Sequence, residues 1–191
     1  MRYFFSIMAI VAAVTFAQLA LAPAFLPPVL RPDLGILMGL AALAFAPRDF
    51  AFVLLFCLGL SADLFGSARF GLLTLSYLLA AGLLLACSWR ELTRGDFIPV
   101  WLLSIAGTAL AHLFYIIFGR IAGLQVHWGQ ALAIYFSLVL SACVWGLPCA
   151  YIGGHCLRGL GILTIPVRER WARETRQRPI RRVKARNIFG G

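Results

Sequence analysis

Six apolar segments, almost free of charged side chains, follow one another along the chain and constrain its fold more than any other feature. Hydrophobic residues make up 62% of the sequence and charged residues only 13%. A soluble domain is about a quarter charged, and a helix crosses a bilayer core with roughly 20 apolar residues. The pattern predicts an all-α polytopic membrane protein, a six-helix bundle formed by residues 3–26, 31–46, 50–65, 70–89, 97–119 and 131–154.

Prolines and a capping residue mark the ends of the first two segments. Pro23, Pro27 and Pro28 are expected to end the first helix, because proline lacks a donor and clashes with the preceding turn. Asp33 is suited to be the N-cap of the second helix, and Pro47 ends that segment. Segments 2 and 3 are short, so they are either tilted spans or a re-entrant hairpin. Both arrangements return the chain to the same side.

The net charge of +10 is concentrated at the C-terminal end. We divide the chain into a transmembrane domain, residues 1–156, and a basic cytoplasmic tail, residues 157–191. From Arg158 onward there are ten basic and two acidic residues, a net charge of +8. With six crossings, fourteen basic residues lie on the side of the termini and three on the other side. The positive-inside rule therefore predicts cytoplasmic termini, and nucleic-acid binding is not needed to explain the charge.

The tail itself has two interpretations. It is either an amphipathic helix drawn to anionic lipid or a disordered, solvated segment.

Asp63 is the most unusual residue of the apolar segments. A helix that begins near Arg48 places Asp63 about 20 Å further along, in the far half of a bilayer core roughly 30 Å thick. Such a carboxylate usually faces a bundle interior or a cavity. The alternative is that the helix ends near Asp63, whose carboxylate then caps the turn at Gly66. Both interpretations stay open at the level of sequence.

Small or polar residues recur at helical spacing in segments 2 and 5. Gly35 and Gly39 form a GxxxG pattern, which permits close helix approach. Ser104, Thr108 and His112 follow at intervals of four residues and form one polar stripe. Stripes of this kind pack helix against helix, and the alternative for this one is a ligand pathway.

Residues for catalysis are few. The segments contain no HExxH, no GxSxG and no paired carboxylates, so we expect no enzyme activity, no cofactor and no metal site. The five cysteines are odd in number and form no CxxC, so we expect no disulfide framework. They are expected to be buried as small apolar side chains.

One set of residues resembles a known family. Arg31-Pro32-Asp33-Leu34, then Gly59-x3-Asp63-Leu64-x-Gly66, then Phe70-Gly71 followed by Leu75-Ser76-Tyr77, are similar to the pattern of MreD, the rod shape-determining membrane protein of bacteria. The resemblance covers roughly residues 31–85. It assigns the family's signature positions to Arg31, Asp33, Gly59, Asp63, Gly66 and Gly71.

The resemblance implies a non-enzymatic scaffold subunit of the cell-elongation complex in the cytoplasmic (inner) membrane. Such a subunit binds MreC, a single-span protein. Through MreC it reaches the actin-like MreB, the glycosyltransferase RodA and its transpeptidase partner, and so helps to position peptidoglycan synthesis. The long basic tail departs from many members of the family.

Two further hypotheses concern Asp63 and a rival function. Asp63 is expected to pair with Arg31 or Arg69 near the outer face and to shape a groove for MreC. The rival is the substrate-binding S component of a vitamin transporter of the energy-coupling-factor type. Such components are also small and six-helical, and the MreD fold is similar to theirs. A tightly bound small molecule would favour the rival.

Overall fold

The computed structural model describes residues 2–65, 70–92, 97–125 and 127–162, and within these ranges the chain forms helices and no strand. The predicted all-helical architecture is therefore confirmed for this part of the chain. A 3₁₀ turn, Pro28–Leu30, joins the first two helices. The helices are α1 (Arg2–Phe16, continued by a π-helical turn, Ala17–Leu21, and a last turn, Ala22–Phe25), α2 (Leu34–Phe45), α3 (Arg48–Phe65), α4 (Leu72–Leu92), α5 (Phe97–Ile121) and α6 (Trp128–Gly159).

Four stretches in the described ranges are long and apolar enough to cross a membrane: Tyr3–Phe25, Pro28–Phe45, Ile98–Ile121 and Trp128–Gly159. Helix α4 is apolar over the shorter range Leu72–Cys87. The boundary expected at residue 156 falls inside α6, which runs to Gly159. Gly66, Arg69 and the tail from residue 163 onward lie outside the described residues.

Two local expectations need correction. Pro23 does not end α1, which continues to Phe25, because a π-helical turn precedes the proline and widens the helix there. The cysteines are all free, but Cys87 and Cys156 are exposed, and of the five only Cys149 is fully buried. Both exposed cysteines lie on outward faces of their helices, where an apolar side chain suits a lipid environment as well as a core.

Helix α2 is the centre of the bundle. It packs against all five of the other helices, which surround it in the order α1, α3, α4, α5 and α6. Its side chains Ile36, Leu40 and Ala41 are completely buried. An apolar helix with no polar face is the kind that other elements cover on all sides.

The short central helix leaves space at one end of the bundle. With 12 residues, α2 is about 18 Å long, whereas the 32 residues of α6 extend over about 48 Å. We call the end at which α2 begins, near Asp33, the distal end. The start of α1 and the end of α6 lie at the other end. There the rings of Tyr3 and Phe50 are 5.9 Å apart, and Gly154 packs on Phe45.

Gly59 allows α3 and α4 to touch backbone to backbone. A Cβ at Gly59 would lie 2.7 Å from the Cα of Thr74, and a backbone atom cannot move aside as a flexible side chain can. We expect Gly59→Ala to lower the free energy of unfolding by roughly 1–3 kcal/mol, the usual cost of overpacking. Chemical unfolding in mixed detergent micelles, followed by circular dichroism, measures this change.

The matched control is the same substitution at Gly82 in α4, where an added Cβ meets nothing within 4 Å. Gly82→Ala is expected to be neutral or to stabilise by up to about 1 kcal/mol, because alanine is the better helix former. Equal effects at the two glycines would contradict the close approach at Gly59.

Candidate functional site

The Asp63 carboxylate caps the first turn of α4, the helix that follows α3. Its side chain is 3% exposed. Oδ1 accepts from the backbone N–H of Leu73 at 3.0 Å, and Oδ2 accepts from the N–H of Thr74 at 3.0 Å and from the hydroxyl of Thr74 at 2.6 Å. The first amides of a helix have no partner within it, so a carboxylate at this place both satisfies them and suits the helix dipole. Asp63 therefore joins α3 to α4.

The two interpretations of Asp63 are not exclusive, because the side chain is buried in the bundle and also acts as a cap. Helix α3 ends at Phe65, two residues later, and the carboxylate is a cap, although it caps α4 rather than the turn at Gly66 itself. The expected ion pair with Arg31 is wrong. The Arg31 side chain donates instead to the carbonyls of Leu26 at 3.1 Å and Pro23 at 3.4 Å, because the last carbonyls of α1 lack helical partners. The other expected partner, Arg69, lies in the range that the structure does not describe.

Asp33 connects three helices. It is the N-cap of α2, the role that its position predicted, and its Oδ1 accepts from the N–H of Ile36 at 3.3 Å. Its Oδ2 accepts a short hydrogen bond from the hydroxyl of Tyr77 on α4. The Nε2 atom of His112 on α5 lies 3.3 Å from the same oxygen. Asp33, Tyr77 and His112 are all buried, and we call them the Asp33 cluster.

The polar stripe of α5 serves two different purposes. Ser104 is 1% exposed, donates to the carbonyl of Val100 and faces Gly146 of α6, so it packs helix against helix. Thr108 Oγ1 and His112 Nε2 are buried without a hydrogen-bond partner among the described residues. The nearest acceptor to His112 Nε2 is Asp33 Oδ2, at 3.3 Å. The last residue of the stripe therefore belongs to the Asp33 cluster rather than to a helix interface alone.

The remaining glycines of the expected site shape the bundle. A Cβ at Gly35 would lie 3.3 Å from Asp33 Oδ1 and 3.5 Å from the Tyr77 ring. A Cβ at Gly39 would lie 2.2 Å from Leu55 Cδ2. Gly71 has a φ of +88°, which L side chains rarely adopt, directly before α4. The GxxxG of α2 thus packs against α4 and α3.

A cavity of about 620 Å³ lies above the Asp33 cluster at the distal end. Its walls come from α1, α3, α4, α5 and α6, and the loop between α5 and α6 contributes to its rim. Asp33 and Gly35, at the start of α2, form its floor. The cavity exists because the central helix begins below the ends of its neighbours. We call it the distal cavity.

Gln18 and Thr74 are residues of the candidate site that the sequence did not single out, and Tyr77 was named only as part of the motif. Thr74 and Tyr77 are the partners of the two aspartates, and Gln18 Oε1 accepts from the N–H of Gly35 at 3.3 Å. Gln18 carries a sequence signal, because a side-chain amide within an apolar segment needs a partner. Tyr77 lies in the motif, but nothing local in the sequence indicates its partner 44 residues away.

The chain was compared with family models, curated proteins and solved structures. No family model, no curated protein and no solved structure matches the chain.

Proposed function

We propose that this chain is a non-enzymatic scaffold subunit of the bacterial cell-elongation complex that binds MreC. One observation carries the proposal: motif residues distant in sequence form one connected structural unit. Asp33 holds Tyr77, Asp63 holds the first turn of α4, and Gly59 lets that turn approach α3. Residues used in this way maintain the shape of a surface rather than carry out a reaction.

The two buried carboxylates support a scaffold over an enzyme. Both oxygens of Asp63 accept hydrogen bonds from α4, and both oxygens of Asp33 accept them from α2 and α4. Their hydrogen bonds connect helices, which suits a protein whose function is to present a rigid face.

The proposal includes an orientation in the cytoplasmic membrane. The chain crosses it several times with both termini in the cytoplasm, as the excess of basic residues on that side indicates. The distal end then faces outward and shapes the groove that receives MreC. MreB, RodA and its transpeptidase partner join through MreC, and the Arg-rich tail binds anionic lipid.

Co-purification with MreC tests this function. We expect the wild-type chain to retain tagged, co-expressed MreC in detergent. The amount of MreC retained is expected to be at least tenfold higher than that of an unrelated single-span protein with the same tag. Asp63→Ala is expected to lose most of the MreC, because the start of α4 is released at the distal end. Asp49→Ala removes an exposed carboxylate at the opposite end and is expected to retain it.

Two results would count against the proposal at different levels. A well-folded wild-type chain that retains no more MreC than the unrelated span contradicts the scaffold function. A folded Asp63→Ala variant with full retention keeps the scaffold and removes the distal end as its MreC surface.

The distal cavity favours a second candidate function, the S component of a vitamin transporter. Such a protein binds a small molecule, and a volume of about 620 Å³ lies within the range of small-molecule sites. Mass spectrometry of the aqueous extract of the denatured, purified protein tests it. A vitamin present at one molecule per chain supports this candidate. The absence of any vitamin from protein purified in detergent without additional washing steps contradicts it.

A further inference from the structure

The distal cavity has a side opening between α1 and α6. These two helices flank the cavity and do not pack closely against each other in the described part of the chain. Leu19 of α1 and Ile134 of α6 both line the cavity and are 50% and 61% exposed. An opening bordered by apolar side chains, between helices of membrane-spanning composition, admits molecules that partition into lipid as well as molecules from water.

The charges around the cavity select an uncharged occupant. Among the described residues that line it there is no lysine or arginine, so within this part of the chain an anion finds no fixed counter-charge. Asp33, the one carboxylate among the described lining residues, accepts from Ile36 and Tyr77 and lies 3.3 Å from His112 Nε2, so it is already engaged with groups of the protein. Arg120 lines a small adjoining cavity that shares Leu124, Gln125 and His127 with the distal cavity, and its guanidinium lies 5.0 Å from the centre of the Trp128 ring. A charged molecule would lose its hydration here without compensation.

Unused hydrogen-bonding groups face the same space. Gln18 uses its carbonyl oxygen on Gly35, which leaves its amide nitrogen without a partner among the described residues. The hydroxyl of Tyr115, which also lines the cavity, likewise has none within the described ranges. The Nε2 atom of His112 is buried beneath them, 3.3 Å from Asp33 Oδ2. Gln18 lies in the π-helical turn of α1, a feature that often marks functional sites. These groups suit one polar group on an otherwise apolar molecule.

We propose that the distal cavity binds an uncharged molecule with an apolar body and a single hydrogen-bonding end, which is directed toward Gln18 and Tyr115. The inference goes beyond the scaffold function and does not rest on it. The same chemistry has two sources, a neutral membrane lipid with a hydroxyl or amide head and a neutral small molecule from water.

A pair of related dyes tests the proposal in native mass spectrometry. N-phenylnaphthylamine is uncharged, and anilinonaphthalenesulfonate has the same rings with a permanent negative charge. We expect one N-phenylnaphthylamine per protein chain, and affinity at least about tenfold lower for the sulfonate. Tyr115→Phe is expected to weaken the binding of N-phenylnaphthylamine by up to about tenfold, the order of one lost hydrogen bond.

Two alanines of α6 provide a matched pair of variants. Ala131 is buried and lines the cavity, whereas Ala133 is exposed and does not line it. Ala131→Phe is expected to abolish dye binding by filling the cavity, and Ala133→Phe to leave it unchanged. If Ala131→Phe does not fold, Ala62→Phe on α3 fills the same cavity from another wall.

Three outcomes would overturn the proposal. They are equal binding by the two phenylalanine variants, equal affinity for the two dyes, and no dye bound to the wild-type chain. Extraction of the purified protein then distinguishes the sources. A molecule enriched over Ala131→Phe in the organic phase is a lipid, and one enriched in the aqueous phase is a soluble ligand. Failure of these tests leaves MreC binding unaffected, so the two proposals fail separately.

Discussion

Asp63→Ala is expected to lower the free energy of unfolding by about 3–5 kcal/mol. The substitution removes an acceptor of three hydrogen bonds, and hydrogen bonds to a charged group contribute roughly 1.5–3 kcal/mol each before relaxation. The amide and hydroxyl of Thr74 then remain buried without a partner, and the start of α4 loses its compensating negative charge. Unfolding in mixed detergent micelles, followed by circular dichroism, gives the value.

Two variants control this experiment. Asp63→Asn keeps one acceptor oxygen without the charge and is expected to lose about half as much. Asp49→Ala removes an exposed carboxylate in the first turn of α3 and is expected to cost less than about 0.5 kcal/mol. An Asp63→Ala protein as stable as Asp49→Ala would show that the α3–α4 cap does not contribute to the fold.

Asp33→Ala is the second substitution with a large expected effect, a loss of about 2–4 kcal/mol. About 1 kcal/mol comes from the lost N-cap of α2. A further 1–3 kcal/mol, roughly, comes from leaving the hydroxyl of Tyr77 buried without its acceptor. The effect is large because α2 is central, so a disturbance at its start reaches α4 and α5 together. The same unfolding experiment measures it.

A double-mutant cycle separates the two contributions. Tyr77→Phe removes the donor alone, and combined with Asp33→Ala it is expected to show a coupling of roughly 1–2 kcal/mol. Tyr115→Phe is the matched control, because the Tyr115 hydroxyl has no hydrogen-bond partner in the described part of the chain, and it is expected to be neutral. Additive effects of Asp33→Ala and Tyr77→Phe would contradict the bond between these side chains.

The six helices and most of their ends follow from local properties of the sequence. Runs of apolar residues predicted the segments, Pro47 marked the end of α2, and Asp33 marked its start. These signals are local because a helix satisfies its own backbone hydrogen bonds and a cap acts within one turn. The short length of segment 2 was also visible, but its position in the bundle was not.

Tertiary structure alone decided how the polar residues are used. The sequence placed Asp63 in an apolar segment and suggested an arginine partner, whereas the fold brings the start of α4 to it and places Arg31 on the carbonyls of α1. Tyr77 and His112 meet at Asp33 only because α2 lies between α4 and α5. Apolar helices of similar composition are compatible with several packing orders, so their neighbours are set by close contacts such as Gly59 on Thr74. The distal cavity has the same origin, since it forms where a short helix at the centre is surrounded by longer ones.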